Sequence, residues 1–355
     1  MTSVVPMMKS TGEDNDFYAE IINVPEFWSS LAVAGFTLSV MIVVSNAILL
    51  FTIYKDPRRS FRTPPSFLIA NLSASEFLQG TFAVFPVALR DVYRCHGLSM
   101  PYVRVFKAVI YTVVSTTLFV SSATIIAMSV TCYIAINNPI IYKSEITTRR
   151  IKIVIALIWI IALLMSILPA TNIPEKTYTL IYLHTHASIP AILLTVNYVN
   201  VFRALARRTR EACHSFKESA VGMRHNLARQ RNMAITIVTI LAMFYITYIP
   251  QYITLHLLYF CKTCQESVTF HKIDVILSRF LFINSAVDPF IYAWRVPKYR
   301  RALRDCLKKL TNNHNLTSRF NSHKAGGFSL TRRNTNNDVS YSSGLWTPSK
   351  YRVSY

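Results

Sequence analysis

Seven stretches of this chain are each long and apolar enough to cross a lipid hydrocarbon core, and that excludes almost every soluble fold. Crossing about 30 Å of hydrocarbon takes about 20 largely apolar residues, and a helix satisfies its own backbone polar groups there. The stretches run approximately from Trp28 to Tyr54, Ser66 to Leu89, Val105 to Ile136, Ile153 to Pro169, Tyr178 to Phe202, Met233 to Phe260 and Ile273 to Trp294. His184, His186 and Asn197 interrupt the fifth, which rests mainly on the charge pattern. Composition agrees, since 52% of the 355 residues are hydrophobic and only 15% charged. No internal repeat is visible, which argues against transporter folds built from duplicated halves.

Basic residues are retained on the cytoplasmic side, so their placement sets orientation. With the N-terminus outside, four Lys and Arg fall in the first inner loop, four in the second, eight between Arg203 and Arg231 and thirteen after Trp294, which is 29 of 38. The net charge of +21 is therefore mostly a topology signal, with attraction to anionic membrane lipid as a second use. Nucleic acid is not expected as a partner, because the charges are scattered between spans. The expected organisation is an all-α membrane protein with an extracellular segment over residues 1–27 and a seven-helix bundle over 28–294. An amphipathic membrane-surface helix follows over 295–310, then a disordered cytoplasmic tail over 311–355.

Ionisable groups within apolar spans are costly and mark functional sites by default. Glu76 stands midway along the second span and Asp288 within the seventh, with Asn46, Ser121 and Asn284 at comparable depth. Converging, they make an oxygen-rich pocket for a hard cation such as sodium or for one shared proton. The plain alternative is a polar knot that only fixes packing. Prolines at Pro169, Pro190, Pro250 and Pro289 supply places where helices kink. Cys261 and Cys264, in a short outer loop, suit a small disulfide. Cys95 has no obvious partner, and Cys306 follows a basic amphipathic stretch suited to palmitoylation. No nucleophile, base and metal-ligand set recurs within the spans, so an enzyme is not expected.

Taken in chain order, these features resemble the rhodopsin-like class of G protein-coupled receptors between about Trp28 and Cys306. Asn46 and the block Asn71 to Glu76 look like that family's opening motifs. Thr131-Cys132-Tyr133 occupies the place of its Asp-Arg-Tyr segment, and Trp159 that of its fourth-helix tryptophan. Pro190 and Tyr198, then Phe244, Tyr248 and Pro250, resemble the fifth- and sixth-helix motifs; Asp288-Pro289-Phe290-Ile291-Tyr292 resembles the seventh-helix motif. The resemblance implies a receptor that transmits an extracellular signal to heterotrimeric G proteins, with arrestin recognising a phosphorylated tail at Ser340, Ser342 and Ser343.

The departures are as informative. Cys132 replaces the family's arginine, Thr131 its acid, and Gln230 the sixth-helix acid that restrains that arginine. A receptor that binds ligand but acts as a decoy or through arrestin therefore stays open as the second reading. An ion or proton pathway through Glu76 and Asp288 is a third. Val114 stands where amine receptors carry an aspartate, and Phe282 where opsins carry the retinal lysine. A short cysteine-free second outer loop and the Asp-Pro-x-x-Tyr ending are loosely similar to the melanocortin, cannabinoid, lipid and adenosine receptor branch. On the outer half, Val114, Ser115, Thr117 and His184 are expected to face Tyr248, Gln251, Tyr252 and Arg279 across a small-ligand cavity. His186 joins them, and Arg279 suits a carboxylate or phosphate.

Overall fold

The protein, seen in a computed structural model, is described over residues 17–56, 61–98, 103–167, 181–182, 184–214, 220–295, 298–306 and 308. A short helix α1 (Phe17–Ile21) precedes the first long helix α2 (Pro25–Tyr54). The second long helix is α3 (Pro64–Gln79) continued through a π-turn, Gly80–Val84, into α4 (Phe85–Cys95). Then come α5 (Val103–Asn137), the short α6 (Pro139–Glu145) and α7 (Thr148–Ile167). A π-turn, His184–Ser188, leads into α8 (Ile189–His214), followed by α9 (Ala220–Phe260) and α10 (Lys262–Glu266). The last long helix is α11 (Val268–Phe280) with α12 (Ile283–Arg295). Among the described residues six helices are long and apolar enough to cross a membrane, and the 20-residue α7 stands between the third and fifth of the expected spans.

Local chemistry sets the starts of these helices. Pro25 opens α2 after the extended Val24, and Pro64 opens α3 after the extended Thr63, where a missing N–H costs nothing. The Ser267 hydroxyl accepts from the Phe270 N–H at 3.3 Å and caps α11.

The bundle turns apolar faces outward and holds many polar groups inside, beside an apolar core. Val33, Val40, Val44, Ile48 and Phe51 run down one exposed face of α2, and Ile246, Ile249, Ile253, Leu257 and Phe260 down one of α9. Such stripes mean lipid rather than water around the helices. Asn46, Ser73, Ser75, Glu76, Gln79, Asp91, Thr124 and Asp288 are all 1% exposed or less. In lipid, helices associate through close packing and buried hydrogen bonds. A Cβ on Gly35 would stand 2.8 Å from the Ala88 Cβ, and one on Gly80 would stand 2.8 Å from Ile42, so these glycines set how closely α2 meets the second helix. Ser39 donates to the Gly80 carbonyl at 3.0 Å in the same contact. Trp159 donates to Asn71 at 2.9 Å, and Asn71 to Thr124 at 2.8 Å, tying α7, α3 and α5 together.

Several helix ends lie beyond the apolar stretches. The second helix continues to Cys95 rather than ending at Leu89. Helices α8 and α9 reach His214 and back from Ala220, so much of the inner segment expected as loop is helical. Hydropathy marks where hydrocarbon ends, whereas a helix with charged side chains runs on into water. The helix is also interrupted at Leu281 and Phe282, inside the seventh stretch. Residues 298–306 are helical, with Tyr299, Ala302 and Cys306 buried and Arg300, Arg301 and Arg304 exposed. Pro169, the loop from Thr171 to Lys176 and the tail from Thr311 with Ser340, Ser342 and Ser343 lie outside the described residues.

Candidate functional site

Three polar layers cross the bundle. In the middle layer Asn46 donates to the Ile42 carbonyl at 3.0 Å and to the Ser285 carbonyl at 3.1 Å, so its Oδ1 turns inward without a donor. The carboxyls of Glu76 and Asp288 lie beside one another, with Asn46 next to Glu76. All four of their carboxyl oxygens are buried and, apart from one another and Asn46, meet no donor, and the Asn284 Oδ1 one turn before Asp288 is buried without one. Ser121 meets the Ser75 hydroxyl at 3.0 Å, and Ser285 donates to Gln79 at 2.7 Å. The first, second, third and last helices thus converge on a chamber with a surplus of oxygen acceptors.

The layer toward the N-terminal end holds the residues expected to face a ligand. His186, on the turn before α8, meets the Ser115 carbonyl at 3.0 Å through Nε2 and stacks on Tyr182 with ring centroids 4.2 Å apart. Thr117 donates back to the Val113 carbonyl of its own helix at 2.7 Å, so its hydroxyl is already satisfied. Val114 packs between two apolar clusters. Tyr248 stacks on Phe244 at 4.0 Å, two residues before Pro250. Ser188 donates to the Tyr252 hydroxyl at 3.0 Å, and His184 meets Ser188 at 2.9 Å.

Gln251 and Arg279 belong to a network of which the apolar stretches give no sign. Arg279 reaches both Asp91 oxygens at 3.0 and 3.1 Å, and Arg94 reaches Asp91 at 3.2 Å. Gln251 donates to Asp274 at 3.0 Å, and the Tyr18 hydroxyl of α1 donates to the other Asp274 oxygen at 2.8 Å. Burial, and then the Asp274 carboxylate, push the Tyr18 phenol well above its ordinary range, which keeps it protonated as a donor. Arg94 also stacks over Trp28 at 4.4 Å, and the Trp28 indole donates to the Ile22 carbonyl at 2.8 Å. Two arginines and two aspartates therefore bind the N-terminal segment to α4, α9 and α11. Arg279, expected to greet an anionic ligand, has its charge met by Asp91 instead. Cys261 and Cys264 are joined by a disulfide with Cα atoms 5.3 Å apart.

At the opposite end, Thr131 donates to the Met128 carbonyl at 2.9 Å, and Cys132 is buried against Ile136, Val201 and Ala204. Tyr133 packs at the edge of this cluster. Arg208 of α8 donates to the Ile136 and Asn137 carbonyls at 3.2 and 2.8 Å, closing the end of α5. Tyr292 is buried, with its hydroxyl 3.7 Å from the Met128 sulfur, while Tyr198 lies against Phe202 with ring centroids 4.5 Å apart. Pro190 opens α8 and Pro289 lies inside α12. Cys306 is buried at the end of the 298–306 segment.

Residues 45–292 match the family described as 7 transmembrane receptor (rhodopsin family). Over 289 residues the chain is 25% identical to lysophosphatidic acid receptor 1 of Bos taurus, covering 77% of this chain and 74% of that one. It is 24% identical over 277 residues to lysophosphatidic acid receptor 1-B of Xenopus laevis, covering 74% and 71%. Adenosine receptor A2a of Canis lupus familiaris is 21% identical over 325 residues, covering 82% and 74%. These relatives are receptors rather than enzymes, and with the ordered motifs across the bundle the conclusion is plain: this chain belongs to the rhodopsin family of seven-transmembrane receptors.

Proposed function

We propose that the chain is a plasma-membrane receptor, N-terminus outside, that passes a small extracellular ligand's signal to cytoplasmic G proteins. The observation that carries this reading is the Phe244–Tyr248 stack. Its two rings lie in the core cluster that also holds Tyr292 and Met128, just inward of the residues around Tyr252. A ligand there favours one of two positions of α9, which pivots at Pro250 where the backbone bond is missing. The ligand class is not carried over from the lysophosphatidic acid receptors, because Asp91 already answers Arg279.

The burial of Cys132 favours a second reading. A small thiol packed on Val201 and Ala204 offers no cation to a cytoplasmic partner, so binding without G protein activation, as a decoy or through arrestin, fits the same bundle. Activation of a G protein panel, in cells with equal surface amounts of the natural chain and Cys132→Arg, separates the two. Activity in the natural chain is expected. Silence there with activity in Cys132→Arg overturns the first reading in favour of the second.

The chamber at Glu76 and Asp288, with Asn46, Ser121 and Asn284, suits either sodium or one proton shared between the carboxyls, and the longer glutamate favours the proton. In nanodiscs at neutral pH, the unfolding temperature is then expected to be the same in sodium chloride and choline chloride. Glu76→Gln, whose amide donates where the shared proton did, is expected to keep it within about 1 kcal/mol of wild-type stability. A sodium-dependent rise that Glu76→Gln abolishes assigns a cation instead. The thiol of Cys306 is proposed as a palmitate acceptor, checked by hydroxylamine-sensitive labelling that Cys306→Ser removes.

A further inference from the structure

Two histidines on different helices meet near the N-terminal end of the bundle. His184 lies on the turn before α8 and His256 one turn before the end of α9, with ring centroids 6.0 Å apart and planes at 66°. His184 is exposed and His256 half-buried, so both rings lie at the surface of the bundle.

Their hydrogen bonds decide which nitrogen each presents. His256 Nδ1 lies 3.1 Å from the Tyr252 carbonyl, which can only accept, so the proton sits on Nδ1 and the lone pair on Nε2. His184 Nδ1 lies 2.9 Å from the Ser188 hydroxyl, whose own proton goes to the Tyr252 hydroxyl at 3.0 Å. Ser188 is then the acceptor, and His184 likewise carries its proton on Nδ1. Both rings thus offer a bare Nε2 and are held from behind, the arrangement that orients imidazoles toward a metal. Two imidazoles sharing one ion, with metal to nitrogen distances of about 2.0–2.1 Å, set their ring centres roughly 5–6 Å apart.

We propose that His184 and His256 together bind a divalent transition-metal ion, zinc(II) or copper(II), that bridges the outer ends of α8 and α9. Among the described residues no group of three or more His, Cys, Asp or Glu gathers, so water fills the remaining positions and affinity is modest. Binding does not depend on which cytoplasmic partner the receptor uses.

The test uses the full chain in lipid nanodiscs, purified without a polyhistidine tag. Zinc chloride in the micromolar to submillimolar range is expected to raise the unfolding temperature saturably. His184→Gln and His256→Gln are each expected to weaken the apparent affinity by more than about tenfold. The double variant is expected to be no worse than either single, because both remove the same ion. An equal zinc shift in either single variant overturns the proposal, as does no shift in the natural chain. Copper(II) electron paramagnetic resonance on the natural chain checks it without any variant: coupling to two imidazole nitrogens is expected, and coupling to one or none overturns it.

Discussion

Asp91→Ala is expected to lower the stability of the folded receptor by about 3–5 kcal/mol, enough to remove most of it from the cell surface. Asp91 is fully buried and stands between Arg94, whose side chain is 3% exposed, and Arg279, at 15%. Deleting the carboxylate removes the counter-charge that the buried Arg94 and the mostly buried Arg279 share, and that uncompensated desolvation is what makes the loss large. Surface amount and unfolding temperature in nanodiscs measure it. Replacing Asp91, Arg94 and Arg279 together by leucine is expected to recover a substantial part, since an apolar cluster of similar volume has no buried charge to satisfy. If Asp91→Ala matches the natural chain in both measurements, the cluster is solvated and the account is wrong.

Trp28→Ala is expected to cost about 3–5 kcal/mol, in the range of other large aromatic truncations in packed interiors. Trp28 is 1% exposed and forms a core with Ile22 and Val275, so its ring joins the N-terminal segment to α11. Its loss also orphans the Ile22 carbonyl and removes the face on which Arg94 stacks. Trp28→Phe keeps a ring but no donor, and about 1 kcal/mol is expected from the lost hydrogen bond. Limited proteolysis reads the effect locally: cleavage near Phe17–Ile21 is expected to accelerate in Trp28→Ala before the bundle unfolds. Unchanged cleavage and unfolding temperature rule out the tether. Because Trp28 and Asp91 both act on Arg94, the double variant is expected to lose less than the sum of the singles.

The central chamber was legible from sequence because Glu76 and Asp288 interrupt otherwise apolar runs. Asp91, Arg94 and Asp274 were not, although they too are buried. They lie at the ends of the second and last spans, where charged side chains ordinarily reach water, and hydropathy cannot tell a snorkelling arginine from one turned inward onto an aspartate. Gln251 and Arg279 were expected around a ligand, and their neighbours Asp274 and Asp91 show each engaged within the protein itself. The pairing of His184 with His256, 72 positions apart in the chain, is likewise invisible to any local pattern.

Amino-acid sequence by itself determined the helical membrane architecture, the family, the inward carboxylates and the loss of the third-helix arginine at Cys132. Each is a property of one residue against an apolar background or of ordered motifs along the chain. Tertiary structure alone decided which polar groups satisfy one another: Tyr18 with Asp274, Asp91 with two arginines, Arg208 on the end of α5, and the two imidazoles of α8 and α9. In a bundle surrounded by lipid a buried polar group must find its partner on another helix, and that choice depends on rotation and depth of helices that sequence proximity does not encode.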